Sequence, residues 1–143
     1  MLFLPQPGEY CMKLVSTRLI VQDINTVVEF YEFVTGFSAD WLAPVFAEIV
    51  TPGAVIAIGS EETVALFKEG CAKPAANQSA ILEFLVEDVD HQFNRLKEYG
   101  VAFVHEPKDM PWGNRTLQFR DPEGTLVSLF TPVTDSARQR FSR

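Results

Sequence analysis

The sequence predicts an α+β fold made of two βαβββ units, and three observations carry that expectation. The first is an internal repeat. Val21-Gln22-Asp23-Ile24 and Val86-Glu87-Asp88-Val89 stand 65 residues apart, each where an alternating strand pattern gives way to a helical one. The second is that both helical patterns stop at a glycine, Gly36 or Gly100, the residue that most readily takes the left-handed conformation closing a helix. The third is that three short strand-like stretches follow each glycine.

In the first unit, Leu14 to Val21 alternates, placing Leu14, Ser16, Arg18 and Ile20 on one face and Val15, Thr17, Leu19 and Val21 on the other. Asp23 is the expected N-cap. Val27, Phe30, Tyr31 and Val34 then recur at the spacing of an apolar helical stripe. Strands are expected over 37–42, 46–50 and 54–58, the last two joined by the turn Thr51-Pro52-Gly53. Ser60-Glu61-Glu62-Thr63 opens a short helical turn, and 70–79, rich in small and turn residues, reads as a linker. The pattern then restarts. A strand covers 80–86, Asp88 is a cap, and Val89, Phe93 and Leu96 form a stripe ended by Gly100. Strands are expected over 101–105, 115–120 and 125–130, with Asp121-Pro122-Glu123-Gly124 as the turn between the last two.

One such unit cannot bury both faces of its sheet. Two units side by side form a curved mixed sheet with helices on the convex face and a concave cleft left open. The domain organisation is therefore an N-terminal extension (1–12), a single domain (13–131) made of modules 13–69 and 80–131, and a C-terminal tail (132–143).

The bulk properties exclude several classes. Hydrophobic residues make up 47% and charged residues 22% of the 143, enough for a core and too ordered a mixture for global disorder. The net charge is −7, and the last twelve residues contribute +2, so the body carries −9. An acidic body argues against nucleic acid, whose phosphates need clustered Lys and Arg. It favours either solubility alone or a cationic ligand. No apolar run approaches a membrane span, and Met1-Leu2-Phe3-Leu4-Pro5 lacks the basic start of a signal peptide. Two cysteines, Cys11 and Cys71, without a C-x-x-C pair, fit a reducing cytoplasm. Neither a phosphate loop nor a nucleophile elbow is present, and Cys71 has no histidine placed to activate it.

Four stretches together resemble the vicinal oxygen chelate superfamily of glyoxalases, extradiol dioxygenases and fosfomycin and bleomycin resistance proteins. They are 19–23 (LIVQD), 30–37 (FYEFVTGF), 84–90 (FLVEDVD) and 119–126 (FRDPEGTL), and the resemblance covers 13–131. In metal-dependent members of that family, four ligands come from four strands, two per repeat. The matching positions here are Ser16, Ala57, Ile81 and Ser128. These side chains cannot replace the imidazole and carboxylate donors of a divalent ion. The resemblance therefore implies a member without metal or other cofactor, working as a homodimer. The two histidines, His91 and His105, read as ordinary surface residues.

Strand alternation puts Arg18 on the face of Ser16, Glu83 on the face of Ile81, and Thr116, Gln118 and Arg120 together on the neighbouring strand. Arg18 and Glu83 occupy equivalent places in the two repeats. They read either as a structural ion pair or as a polar pair that orients a ligand, with Glu83 as a candidate base and Arg18 as its orienter. Trp41 and Trp112 are candidate rim residues, and Phe46, Glu48 and Arg115 are weaker ones. The leading expectation is sequestration of a small aromatic or cationic molecule, as in antibiotic resistance. The alternatives are a metal-independent isomerase or lyase using Glu83 and Arg18, and a metal enzyme with displaced ligands.

Overall fold

The computed structural model describes residues 12–142. The N-terminal extension to Cys11, and Arg143, lie outside the described residues. The element order is β1 (Ser16–Val21), α1 (Ile24–Thr35), β2 (Asp40–Ala43), β3 (Phe46–Val50), β4 (Val55–Ser60), a 3-10 turn (Glu61–Leu66), β5 (Ile81–Leu85), α2 (Val89–Tyr99), β6 (Ala102–Asp109), β7 (Asn114–Arg120), β8 (Leu126–Pro132) and α3 (Asp135–Arg140). The doubled βαβββ unit is thus present. Asp23 and Asp88 cap the two helices by accepting from Thr26 N and His91 N, and Gly36 and Gly100 end them at φ 77° and 87°.

Two differences from the sequence reading have plain causes. Strand β6 runs to Asp109 and includes Pro107, which is tolerated because β6 is an edge strand interrupted by register shifts. The C-terminal tail includes α3, capped by Thr134 and docked through Ala137, which is fully buried, and Phe141, whose ring lies 4.9 Å from that of Phe130.

The strands form two four-stranded sheets, ordered β1-β4-β3-β2 and β5-β8-β7-β6. In each, the first and last strands of the module pair in parallel and the rest antiparallel. No ladder joins β1 to β5 among the described residues, so the curved surface is two sheets and not one hydrogen-bonded sheet. The reason lies in α1. This helix buries Ile24, Val27, Val28, Phe30, Tyr31 and Val34, more than one stripe. It packs on β3 and β4 of its own sheet. It also reaches the second sheet, where Phe30 lies 6.0 Å from Phe119 of β7 and the Tyr31 hydroxyl donates to Asp121 at 2.6 Å. Leu19, Ile49 and Ile58 of the first sheet thus share one core with Leu117, Phe119, Val127 and Leu129 of the second. On its other flank α1 meets α2, with Phe33 stacked on Tyr99 and the Arg95 guanidinium donating to the carbonyls of Phe33 and Val34 at the end of α1.

The turn after β7 locks the modules together. Asp121 accepts from Glu123 N, Thr125 N and the Tyr31 hydroxyl, while the Glu123 carboxylate accepts from Gln22 N and Asp23 N. Burial, reinforced by the Asp121 charge, pushes the Tyr31 phenol well above its ordinary value. A raised folded-state pKa means that stability is complete below the unfolded value of about 10 and falls as pH rises above it. Tyr31→Phe is expected to lose about 1–3 kcal/mol at pH 7 and to show a shallower stability loss between about pH 10 and 12, checked by urea unfolding across that range.

Candidate functional site

Each sheet packs one face on the shared core and leaves the other open. On the first sheet, register places Arg18, Ala57, Glu48 and Asp40 in one row across β1, β4, β3 and β2. On the second, Glu83, Ser128, Gln118 and His105 form the equivalent row across β5, β8, β7 and β6. Arg18 and Glu83 therefore hold corresponding places, as their repeat positions predicted. Ser16 and Ile81 begin the same faces one pleat away, so all four positions matched to ligands, Ser16, Ala57, Ile81 and Ser128, lie on the faces turned from the core, with Ala57 and Ser128 themselves buried.

Both sheets put their other sides into the core they share around α1, so the Arg18 face and the Glu83 face both lie away from that core. Arg18 and Glu83 form no ion pair with each other; the ion pairs among the described residues are Arg115–Asp90, Arg115–Asp109 and Arg138–Asp135. Glu83 is exposed, so this chain alone does not enclose it as a catalytic base requires.

On the first face, the Arg18 guanidinium lies over the Phe46 ring at 4.3 Å and 5.6 Å from the centre of the Phe67 ring. Phe67 follows the 3-10 turn and is largely exposed. Sequence reasoning singled out Phe46 only weakly and missed Phe67, because the turn that brings it over β1 carries no pattern linking the two. On the second face, Ser128 is buried and accepts from Gln118 Nε2 at 3.0 Å. His105, read as a surface residue, joins this row because a register shift in β6 sets it opposite Gln118; its Nδ1 lies 2.7 Å from the Glu106 carbonyl. Helix α3 covers the far end of this face through Phe141 on Phe130.

The remaining candidates lie elsewhere. Arg115 alternates with Gln118 onto the helix side of β7. There it donates to Asp90 and Asp109, and the hydrogen bond to Asp90 raises the pKa of the arginine and holds that carboxylate below its ordinary value. Trp41 pairs with Ala47 and so belongs to the helix side of the first sheet. Arg120 is on the open face but exposed at its edge, donating to the Gly124 carbonyl. Trp112 is exposed in the β6–β7 turn, and its carbonyl accepts from Arg140. A crevice of about 940 Å³ opens between β5 and the β3–β4 turn, lined by Val34, Ile56, Leu82, Phe84 and Arg95 and also by Ile81 and Glu83 of the candidate residues. Its one cation is already committed to the end of α1.

The sequence pattern of the Glyoxalase/Bleomycin resistance protein/Dioxygenase superfamily matches residues 13–129. The protein belongs to this superfamily. The Bacillus subtilis (strain 168) protein YraH, itself uncharacterized, is 33% identical over 125 residues, covering 83% of this chain and 98% of YraH. A glyoxalase/bleomycin resistance protein/dioxygenase from Nocardioides superposes with a TM-score of 0.74 at 21% identity, covering 88% of this chain and 87% of that one. The virulence protein STM3117 from Salmonella typhimurium gives 0.70 at 24% identity over 87% and 99%. These likenesses show the doubled βαβββ fold. No helix among the described residues is long and apolar enough to cross a membrane.

Arg115→Ala is expected to leave ligand affinity within about twofold. Because its partners are exposed, it is expected to cost less than about 1 kcal/mol, measured by calorimetric titration and thermal unfolding.

Proposed function

We propose that the protein binds a small flat organic molecule without a metal, in a site formed by the first-module face of one copy and the second-module face of another. The observation that carries this reading is the make-up of the two open faces. At the four positions where metal-dependent relatives place ligands, they present Ser16, Ala57, Ile81 and Ser128. That donor set does not fit a divalent ion, which needs imidazole, carboxylate or thiolate donors. The Arg18 guanidinium beside Ser16 and Ala57 adds repulsion toward a cation. What the faces offer instead is flat and polar: Phe46 and Phe67 with Arg18 on one, and Gln118, Ser128, Glu83 and His105 on the other.

The need for a second copy follows from geometry. Ligand pockets bury most of a small molecule, whereas on this chain Arg18 and Glu83 are both exposed. Ile81 and Leu85, on the open face of β5, are 43% and 53% exposed, and apolar exposure of this kind marks contact surfaces. Sequestration requires no more than such an enclosure. The acidic body suggested a cationic ligand; on the first half-site the β1 end carries Arg18, while Glu48 and Asp40 stand further along the row.

The test has two arms. Elemental analysis of the purified protein is expected to find no stoichiometric Zn, Ni, Mn or Fe; one equivalent of any of them would sink the metal-free reading. A thermal-shift and calorimetric panel of flat aromatic molecules is expected to yield at least one micromolar binder. Light scattering is expected to show a dimer, and Leu85→Glu to give a folded monomer that has lost that binder.

A further inference from the structure

Arg18 differs from the other described arginines in what holds it. Arg95, Arg115, Arg120, Arg138 and Arg140 each donate to a carbonyl, amide or carboxylate oxygen. Among the described residues Arg18 donates to none; it is positioned by the rings of Phe46 and Phe67. Stacking on aromatic faces orients a guanidinium plane and restricts its side chain while leaving the in-plane N–H groups unused. Such a fork matches a planar carboxylate with two parallel hydrogen bonds.

The surroundings define the rest of the ligand. In the register, Arg18 stands beside Ala57, and the next pair on that face is Ile20 and Gly59; Gly59 is covered by the Thr63, Ile20 and Phe46 side chains, so the surface left beside the guanidinium is apolar and aromatic. Glu48 and Asp40 continue the row away from Arg18, with Glu48 two strands off at about 4.8 Å per strand. An anionic group is thus favoured at the β1 end and disfavoured further along. The exposed Phe67 ring offers a surface for an aromatic ring attached to that anion.

We infer that the ligand is a planar aromatic carboxylate, its carboxylate held by the Arg18 fork and its ring laid against Phe67 and Phe46. This rests on the reading above that the open faces bind a small flat molecule. Arg18 then acts as the specificity-determining residue of the first half-site.

The experiment is calorimetric titration of the full chain with 2-naphthoate and with 2-naphthamide, which share a ring and differ in charge. The wild type is expected to bind naphthoate roughly tenfold or more tighter than naphthamide, the difference one charge-assisted bidentate contact supplies. Arg18→Gln is expected to erase that preference. Arg18→Lys is expected to restore the preference only in part, because an ammonium lacks the fork. Phe67→Ala is expected to weaken both probes. Equal wild-type affinity for the two probes would overturn the carboxylate assignment and leave flat-molecule binding standing. Failure of both probes to bind would overturn both readings. A naphthoate preference that survives Arg18→Gln would place the anion on another group and overturn the inference. An Arg18→Gln protein that turns monomeric with its probe preference unchanged would assign Arg18 to Glu83 of a second copy, and also overturn it.

Discussion

The structure depends on the double burial of α1. This helix serves two sheets at once, and the contact that fixes it is the buried hydrogen bond from Tyr31 to Asp121. Asp121 is held in turn by the backbone N–H groups of its own turn, and the neighbouring Glu123 carboxylate closes over Gln22 N and Asp23 N. A buried carboxylate is stable only when its acceptor capacity is used. Here each of its partners comes from the turn itself or from α1. The turn is therefore both the β7–β8 connection and the joint between modules.

That joint decides where function is located. Because both sheets place their apolar faces in one shared core, their polar faces are left on the outside of it. Within each face the pleat collects residues distant in sequence into a row, Arg18 with Glu48 and Asp40, or Glu83 with Ser128, Gln118 and His105. The two rows are repeats of one geometry with different chemistry. Aromatic rings surround the first row, and hydrogen-bonding side chains make up the second. A ligand enclosed between two such faces would meet a stacked cation on one side and neutral and acidic polar groups on the other.

Membership of the glyoxalase and bleomycin resistance superfamily fixes the scaffold without fixing the chemistry, since one fold carries many activities. What distinguishes this chain lies on the open faces, where Arg18 has no acceptor among the described residues and Phe67 is exposed beside it. The tail adds a further local feature, with α3 closing the end of the second face over Phe130.

The sequence by itself determined the repeat, the helix boundaries and the side of each strand on which a residue falls. These are local properties: caps at Asp23 and Asp88, left-handed stops at Gly36 and Gly100, and the period-two alternation that put Arg18 with Ser16 and Glu83 with Ile81. The same alternation already separated Arg115 from Gln118, although the rim role expected for Arg115 ignored it. What the sequence did not contain was how the modules meet. Extra apolar residues on α1, Val28 and Ile24 beside the main stripe, were the only trace that this helix is covered on two sides. Tertiary structure alone decided that the two sheets share one core, that Arg18 stacks on Phe46 and Phe67 instead of pairing with Glu83, and that His105 joins the second row. Each of these follows from the packing of one module against the other, or from a loop or a register shift. Long-range packing of that kind leaves no periodic signal in the chain.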